Sequence, residues 1–176
     1  GAVVSGDLSN DEDLFRLIEE IHDHELVEKS GGIDLLIHNA SIYHEEDFST
    51  ITPQELRRFT SIHLDAPFFM TQGLVPKIKQ KKGSIIGIVD TSWGQSWENL
   101  SHYTATKAAL RQLLINLSGE LAPEIRVNGV APGAILAAAW EKDRFEEVLK
   151  QVPMGRAGSP DDIANAVKFL ADADYI

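Results

Sequence analysis

Three short runs do most to restrict how this chain folds: IDLLI (Ile33–Ile37), SIIGIV (Ser84–Val89) and IRVNGV (Ile125–Val130). The first is apolar with no inside–outside alternation, and the second reads in the same way. Such runs suit strands buried on both faces. A fourth run, AVVS (Ala2–Ser5), reads as a strand leading into GDLSN. Between the runs lie stretches with helical spacing. Leu14, Leu17, Ile18 and Ile21 mark one helix. Thr52, Pro53 and Glu55 open a second with a cap, a first-turn proline and a capping-box glutamate, and it runs to about Lys79 with a kink near Pro67. Leu110, Leu113, Leu114, Leu117 and Leu121 mark a third. Ser159 and Pro160 start a last one, with Asp161 and Asp162 in its first turn, where the helix dipole favours them. Strands alternating with helices of this length predict an α/β fold with a parallel sheet covered on both sides.

The chain has 176 residues and no internal repeat or low-complexity linker, so one domain over 1–176 is expected. A net charge of −11 argues against a nucleic-acid partner, because phosphate binding needs clustered Lys and Arg. There is no cysteine, hence no disulfide framework and no thiolate chemistry. No apolar run reaches the roughly 20 residues that span a bilayer, so no membrane partner is expected. No signal-peptide pattern opens the sequence, and no metal-ligand set is assigned. A cytoplasmic enzyme or binding protein fits these features.

In parallel sheets ligands sit beyond the carboxyl ends of the strands. Three loop segments fall at such ends: HNAS after Ile37, DTS after Val89 and APGAI after Val130. Tyr103 and Lys107 follow the second of them, one helical turn apart, so their side chains share a helix face. An ammonium beside a phenol favours the phenolate and lowers its pKa toward working pH, which makes the pair a candidate proton donor. A bare Y-x-x-x-K is weak evidence, and the convergence of the three strand ends gives it weight.

These segments resemble the short-chain dehydrogenases/reductases. YTATKAAL looks like that family's active-site helix, HNAS like its Asn-Asn-Ala-Gly turn, and RVNGVAPGAI like its Asn-x-x-x-Pro-Gly segment. GRAGSPDDIANAVKFLA resembles its late helix. The resemblance implies a Rossmann-type doubly wound sheet, a nicotinamide cofactor and hydride transfer. It makes Tyr103 the proton donor and gives Lys107 the nicotinamide ribose. Asp7 and Leu8 fall near the adenine, Asn39, Ala40 and Ser41 along the cofactor, and Pro132, Gly133 and Ile135 beside the nicotinamide. The leucine-rich helix resembles the one this family uses to pair subunits, which implies a homodimer or homotetramer.

Three departures narrow the reading. Asp90 stands where the family usually has serine, Ser41 where the turn usually ends in glycine, and His63 where a helix asparagine is usual. Together they resemble the pteridine reductases, and among them the dihydromonapterin reductases. The implied activity is NADPH-dependent reduction of a dihydropterin (dihydromonapterin, dihydrobiopterin or dihydrofolate). NADPH rests on the resemblance, and NADH is the alternative. Protonating a C=N nitrogen builds positive charge, which a carboxylate stabilises, whereas a ketone builds negative charge, which it repels. Asp90 therefore suits a pterin, and its plainer reading is a strand-end residue bonding a turn. Tyr43 is a candidate to stack on a pterin ring, or a loop tyrosine. His63 is a possible relay, or a helix-packing residue. Trp93 and Trp97 line the pocket mouth or serve an interface or core. The competing functions are a carbonyl reductase, such as one acting on 3-oxoacyl carriers, and a non-catalytic binding or assembly remnant. The latter draws on what the resemblance finds missing: the first two strands, the Gly-rich pyrophosphate turn and the last strand.

Overall fold

The computed structural model describes residues 1–138 and 140–176. Three strands, β1 (Leu35–His38), β2 (Ser84–Ile88) and β3 (Arg126–Val130), form a parallel sheet in the order β1-β2-β3. Leu36 lies opposite Ile85, and Ile85 opposite Val127. Parallel pairing puts all three carboxyl ends on one edge, and the loops that follow them carry the candidate site.

Seven α-helices are seen among the described residues: α1 (Asp11–His22), α2 (Glu25–Ser30), α3 (Pro53–Thr60), α4 (Ala66–Gln80), α5 (Ser101–Glu120), α6 (Lys142–Gln151) and α7 (Pro160–Asp172). None is long and apolar enough to cross a membrane. The main core lies where α4 and α5 meet the sheet: Leu74 and Ile78 from α4, Ile85 from β2, Leu110 and Leu114 from α5, and Val127 from β3. Two close approaches need glycine. A Cβ on Gly87 would sit 2.5 Å from Leu114 Cδ1, and one on Gly73 would sit 2.3 Å from Ile18 Cγ2. Ile86, facing away from Ile85 by strand alternation, is also fully buried, so both faces of β2 are covered. The edge strand β1 departs from the expected burial on both faces: its Ile37 is 42% exposed. α7 packs on β2 and β3, and the Arg126 guanidinium donates to the carbonyls of Leu170, Ala171 and Ile176. This is a Rossmann-type α/β fold.

Four local expectations need correction. AVVS forms no strand: Val3 is 91% exposed, and Val4 faces the edge strand β1 across a groove instead of pairing with it. A strand exists through its ladder, and this run, set apart from β1 by the groove, forms none. The capping box at Thr52 is only half made. Its hydroxyl accepts from the Glu55 N–H at 3.1 Å, but the Glu55 carboxylate lies beside His44 and Arg58. The box at Ser159 and Asp162 is complete. The irregularity expected at Pro67 is a π-helical turn at Ser61–Asp65, which joins α3 to α4. Pro67 has no N–H to give the His63 carbonyl, and the wider turn absorbs that loss. Finally, α2 and α6 were not foreseen: one is six residues long, and the other is mostly polar.

Candidate active site

The site grows from the end of β2. Two residues beyond that strand, Asp90 anchors the loop by accepting the Ser92 N–H on Oδ1 at 2.7 Å. Its other oxygen, Oδ2, accepts from the Tyr103 hydroxyl at 2.8 Å. The plain reading of Asp90 as a turn residue and the chemical one as a partner of Tyr103 therefore describe its two oxygens separately. One turn along α5, the buried Lys107 ammonium donates to the Ile88 carbonyl at 3.0 Å and lies 5.8 Å from the Tyr103 ring centroid. The structure thus brings Asp90, Tyr103 and Lys107 together at the carboxyl edge of the sheet.

The electrostatics run opposite to the sequence-based expectation for Tyr103. Its phenol pKa is raised, not lowered, first by burial and then by the charge and hydrogen bond of Asp90. Spacing alone predicts the ammonium as the dominant neighbour, but the carboxylate takes the hydroxyl. Burial also pushes Lys107 down to about 8, against the opposing pull of Asp90. The outcome is a tyrosine held protonated and a lysine that stays charged at neutral pH but loses its proton at lower pH than usual.

Ser41 and Tyr43 come from the loop after β1. The Ser41 hydroxyl lies 2.9 Å from His63 Nε2, which also accepts the Ile42 N–H at 3.2 Å. On its other side, His63 Nδ1 lies 2.8 Å from the Thr106 hydroxyl, which donates to the Tyr103 carbonyl. The Tyr43 ring packs on Tyr103 at 4.8 Å and on Trp140 at 5.1 Å, and its hydroxyl donates to Glu141 Oε1 at 2.9 Å. A flat ligand stacking on Tyr43 would therefore replace one of those rings. Burial and then Glu141 raise the Tyr43 pKa. Arg144, in α6, pairs with Glu45 and holds the Trp140 segment close to this loop.

The expected cofactor residues separate into two groups. Leu8, Asn39 and Ala40 line a common groove of about 270 Å³ beside β1, together with His38 and Ala66. Asp7 flanks it in an exposed turn, where its carboxylate accepts from the Ser9 hydroxyl and N–H and its pKa is lowered. Pro132, Gly133 and Ile135 follow β3 and do not line that groove. Ile135 packs against Gly158, and a Cβ on Gly133 would meet open space. Trp97 packs on Phe59, Leu100 and Tyr103 near the site, whereas Trp93 is exposed and lies over Arg111. Thr106, Trp140 and Glu141 belong to this neighbourhood and were not foreseen. Thr106 lies inside YTATK, where a threonine hydroxyl can bond the carbonyl three residues back, as this one does to Tyr103. The other two carry no local signal.

The chain is similar to several known proteins. A family model described as enoyl-(acyl carrier protein) reductase matches residues 1–175. A glucose and ribitol dehydrogenase homologue of Oryza sativa subsp. japonica is 33% identical, over 98% of this chain and 61% of its own length. A 3-oxoacyl-(acyl-carrier-protein) reductase of Aquifex aeolicus is 33% identical, over 98% of this chain and 71% of its own. The crystal structure of a short-chain dehydrogenase/reductase, a glucose/ribitol dehydrogenase from Brucella melitensis, superposes with a TM-score of 0.87 at 32% identity. It covers 99% of this chain and 71% of that one. The chain thus spans between 61% and 71% of the lengths of these proteins. With the Asp90–Tyr103–Lys107 arrangement at the sheet edge, these matches show that the chain belongs to the short-chain dehydrogenase/reductase family.

Proposed function

We propose that this site serves NADPH-dependent reduction of a dihydropterin to its tetrahydro form, with NADH as the alternative donor. The observation that carries the reading is the Asp90 carboxylate 2.8 Å from the Tyr103 hydroxyl. A C=N nitrogen protonated by Tyr103 gains from a carboxylate beside that hydroxyl, and Glu141 adds a second negative group around Tyr43. The nicotinamide cofactor, when bound, supplies the hydride. Among the residues present, Lys107 fits its ribose end, because only one of the three ammonium donors is used, on Ile88. Asn39, Ala40 and Ser41 would lie along it, Asp7 and Leu8 toward the adenine, and Pro132, Gly133 and Ile135 beside the nicotinamide. Tyr103 holds the proton to be donated, and its raised pKa keeps that proton in place until the substrate nitrogen or oxygen develops basicity. Asp90 orients the phenol, and it must yield this hydrogen bond as Tyr103 turns to substrate.

The second reading is a carbonyl reductase. The relatives named for 3-oxoacyl, glucose and ribitol chemistry favour it. Asp90→Ser in the full-length protein separates the two. Dihydropterin reduction is expected to fall by about 10²–10⁴, the usual loss on removing a positioned acid–base group, with ketone reduction spared or improved. Tyr103→Phe should depress both. An Asp90→Ser enzyme that reduces dihydromonapterin, dihydrobiopterin and dihydrofolate at the original rate would end the pterin reading. The same reading includes a closed homodimer or homotetramer formed through α5, whose Ile115 is 47% exposed, and light scattering tests it.

A further inference from the structure

His63 is the most enclosed titratable side chain near the site, only 1% exposed, and it sits in the π-helical turn between α3 and α4. Its hydrogen bonds fix their own directions. A backbone N–H can only donate, so Nε2 must accept from Ile42 and carries no proton. The neutral ring then has its proton on Nδ1 and gives it to the Thr106 hydroxyl. Thr106, having received, spends its own proton on the Tyr103 carbonyl at 2.8 Å. The chain thus starts at the Ser41–Ile42 turn and ends on the backbone of Tyr103. It never reaches the phenol, whose hydroxyl bonds Asp90.

We propose that His63 is a positioning residue, locked as one neutral tautomer, that fastens the Ser41–Ile42 turn to the helix carrying Tyr103, and is not a proton relay. The Ser41–Ile42 turn follows Asn39 and Ala40, and α5 carries the proton donor. Their separation sets where substrate and cofactor meet the phenol, and one imidazole fixes it. Protonating that imidazole would place an Nε2–H against the Ile42 N–H. It would also add a charge near Lys107, and burial together with that neighbour holds the His63 pKa down at about 3. The groups facing the ring are the Ser41 hydroxyl and Ile42 N–H from the loop after β1, Phe59 from α3, and Tyr103, Thr106 and Lys107 from α5. None is a carboxylate able to stabilise the cation.

The proposal rests on the reading of Tyr103 as proton donor, but its first test needs no turnover. Imidazole ¹⁵N NMR of the intact chain between pH 8.5 and 5 should show His63 protonated on Nδ1 throughout, without titration. A ring that titrates near 6.5, or one protonated on Nε2, overturns it. Kinetics supply the second test. An asparagine amide can accept and donate at once, so His63→Asn should keep kcat and both limbs of the pH–rate profile. His63→Ala should raise KM, by up to about 10²-fold as the turn shifts, with the pH limbs unmoved. A relay would instead lose on the order of 10²–10⁴ in kcat, together with a pH limb, in both variants. Failure of every pterin assay would leave the NMR result standing, so the two ideas fail separately.

Discussion

Ala2–Ser5 and Ser84–Ile88 are similar in composition, small and β-branched, yet only the second is a strand. Ser84–Ile88 is central: β1 bonds it on one side and β3 on the other, and its first four residues are buried. Ala2–Ser5 has no ladder partner and leaves Val3 in solvent. The difference lies in the neighbours and not in the residues. β-propensity measures the fit of a side chain to a half-buried pleated surface, and where no such surface is present it specifies little. The candidate site depends on the paired region, since Asp90 hangs from β2 and Lys107 bonds its last residue.

This contrast can be tested by perturbing each side of it. The largest effect is expected from Ile85→Ala, in the fully buried middle of β2. It should cost about 2–5 kcal/mol in urea unfolding, with loss of the Asp90 loop geometry. Acid comes next. His38 and His63 are buried with pKa values pushed down to about 4 and about 3, from 6.5. The unfolded chain takes up those protons first. Their contribution is therefore complete above pH 6.5 and is lost as pH falls through 4 and 3. Each should add up to about 1.4 kcal/mol per pH unit to the slope of stability between pH 6 and 5. His38→Gln and His63→Gln should each flatten it. Ser159→Ala removes the cap of α7 and should cost about 1 kcal/mol by thermal or chemical unfolding. Smallest is Val3→Asp, expected to move stability by less than about 0.5 kcal/mol. A loss comparable to that of Ile85→Ala would mean the N-terminal run is as tightly built in as β2.

The strands were legible because their signature is local: short runs rich in Ile, Leu and Val, bounded by loops. Asp90, Tyr103 and Lys107 were legible for a similar reason, since eighteen consecutive residues contain all three. The direction of the Tyr103 pKa was not. It depends on which neighbour the hydroxyl faces and how deeply the ring lies, and spacing along a helix reports neither. Trp140 and Glu141 approach Tyr43 through a loop without periodicity, so their place near the site follows only from the folded path of the chain. His63 is intermediate. Its position was readable, while its function as a strut depended on Thr106 and Ile42, which reach it from two separate segments.

The Arg126 guanidinium that reaches Leu170, Ala171 and Ile176 has a consequence for motion. The last carbonyls of a helix ordinarily face water, and terminal turns open with little free energy. Here a single side chain rooted in β3 holds two of them, together with the carbonyl of Ile176. The end of α7 is thereby riveted to the sheet, and fraying there must break charge-assisted bonds first. Amide exchange in the last turn of α7 should therefore follow the opening of β3 and not the faster rhythm of a free end, and Arg126→Lys, which cannot reproduce the planar fork, should uncouple the two.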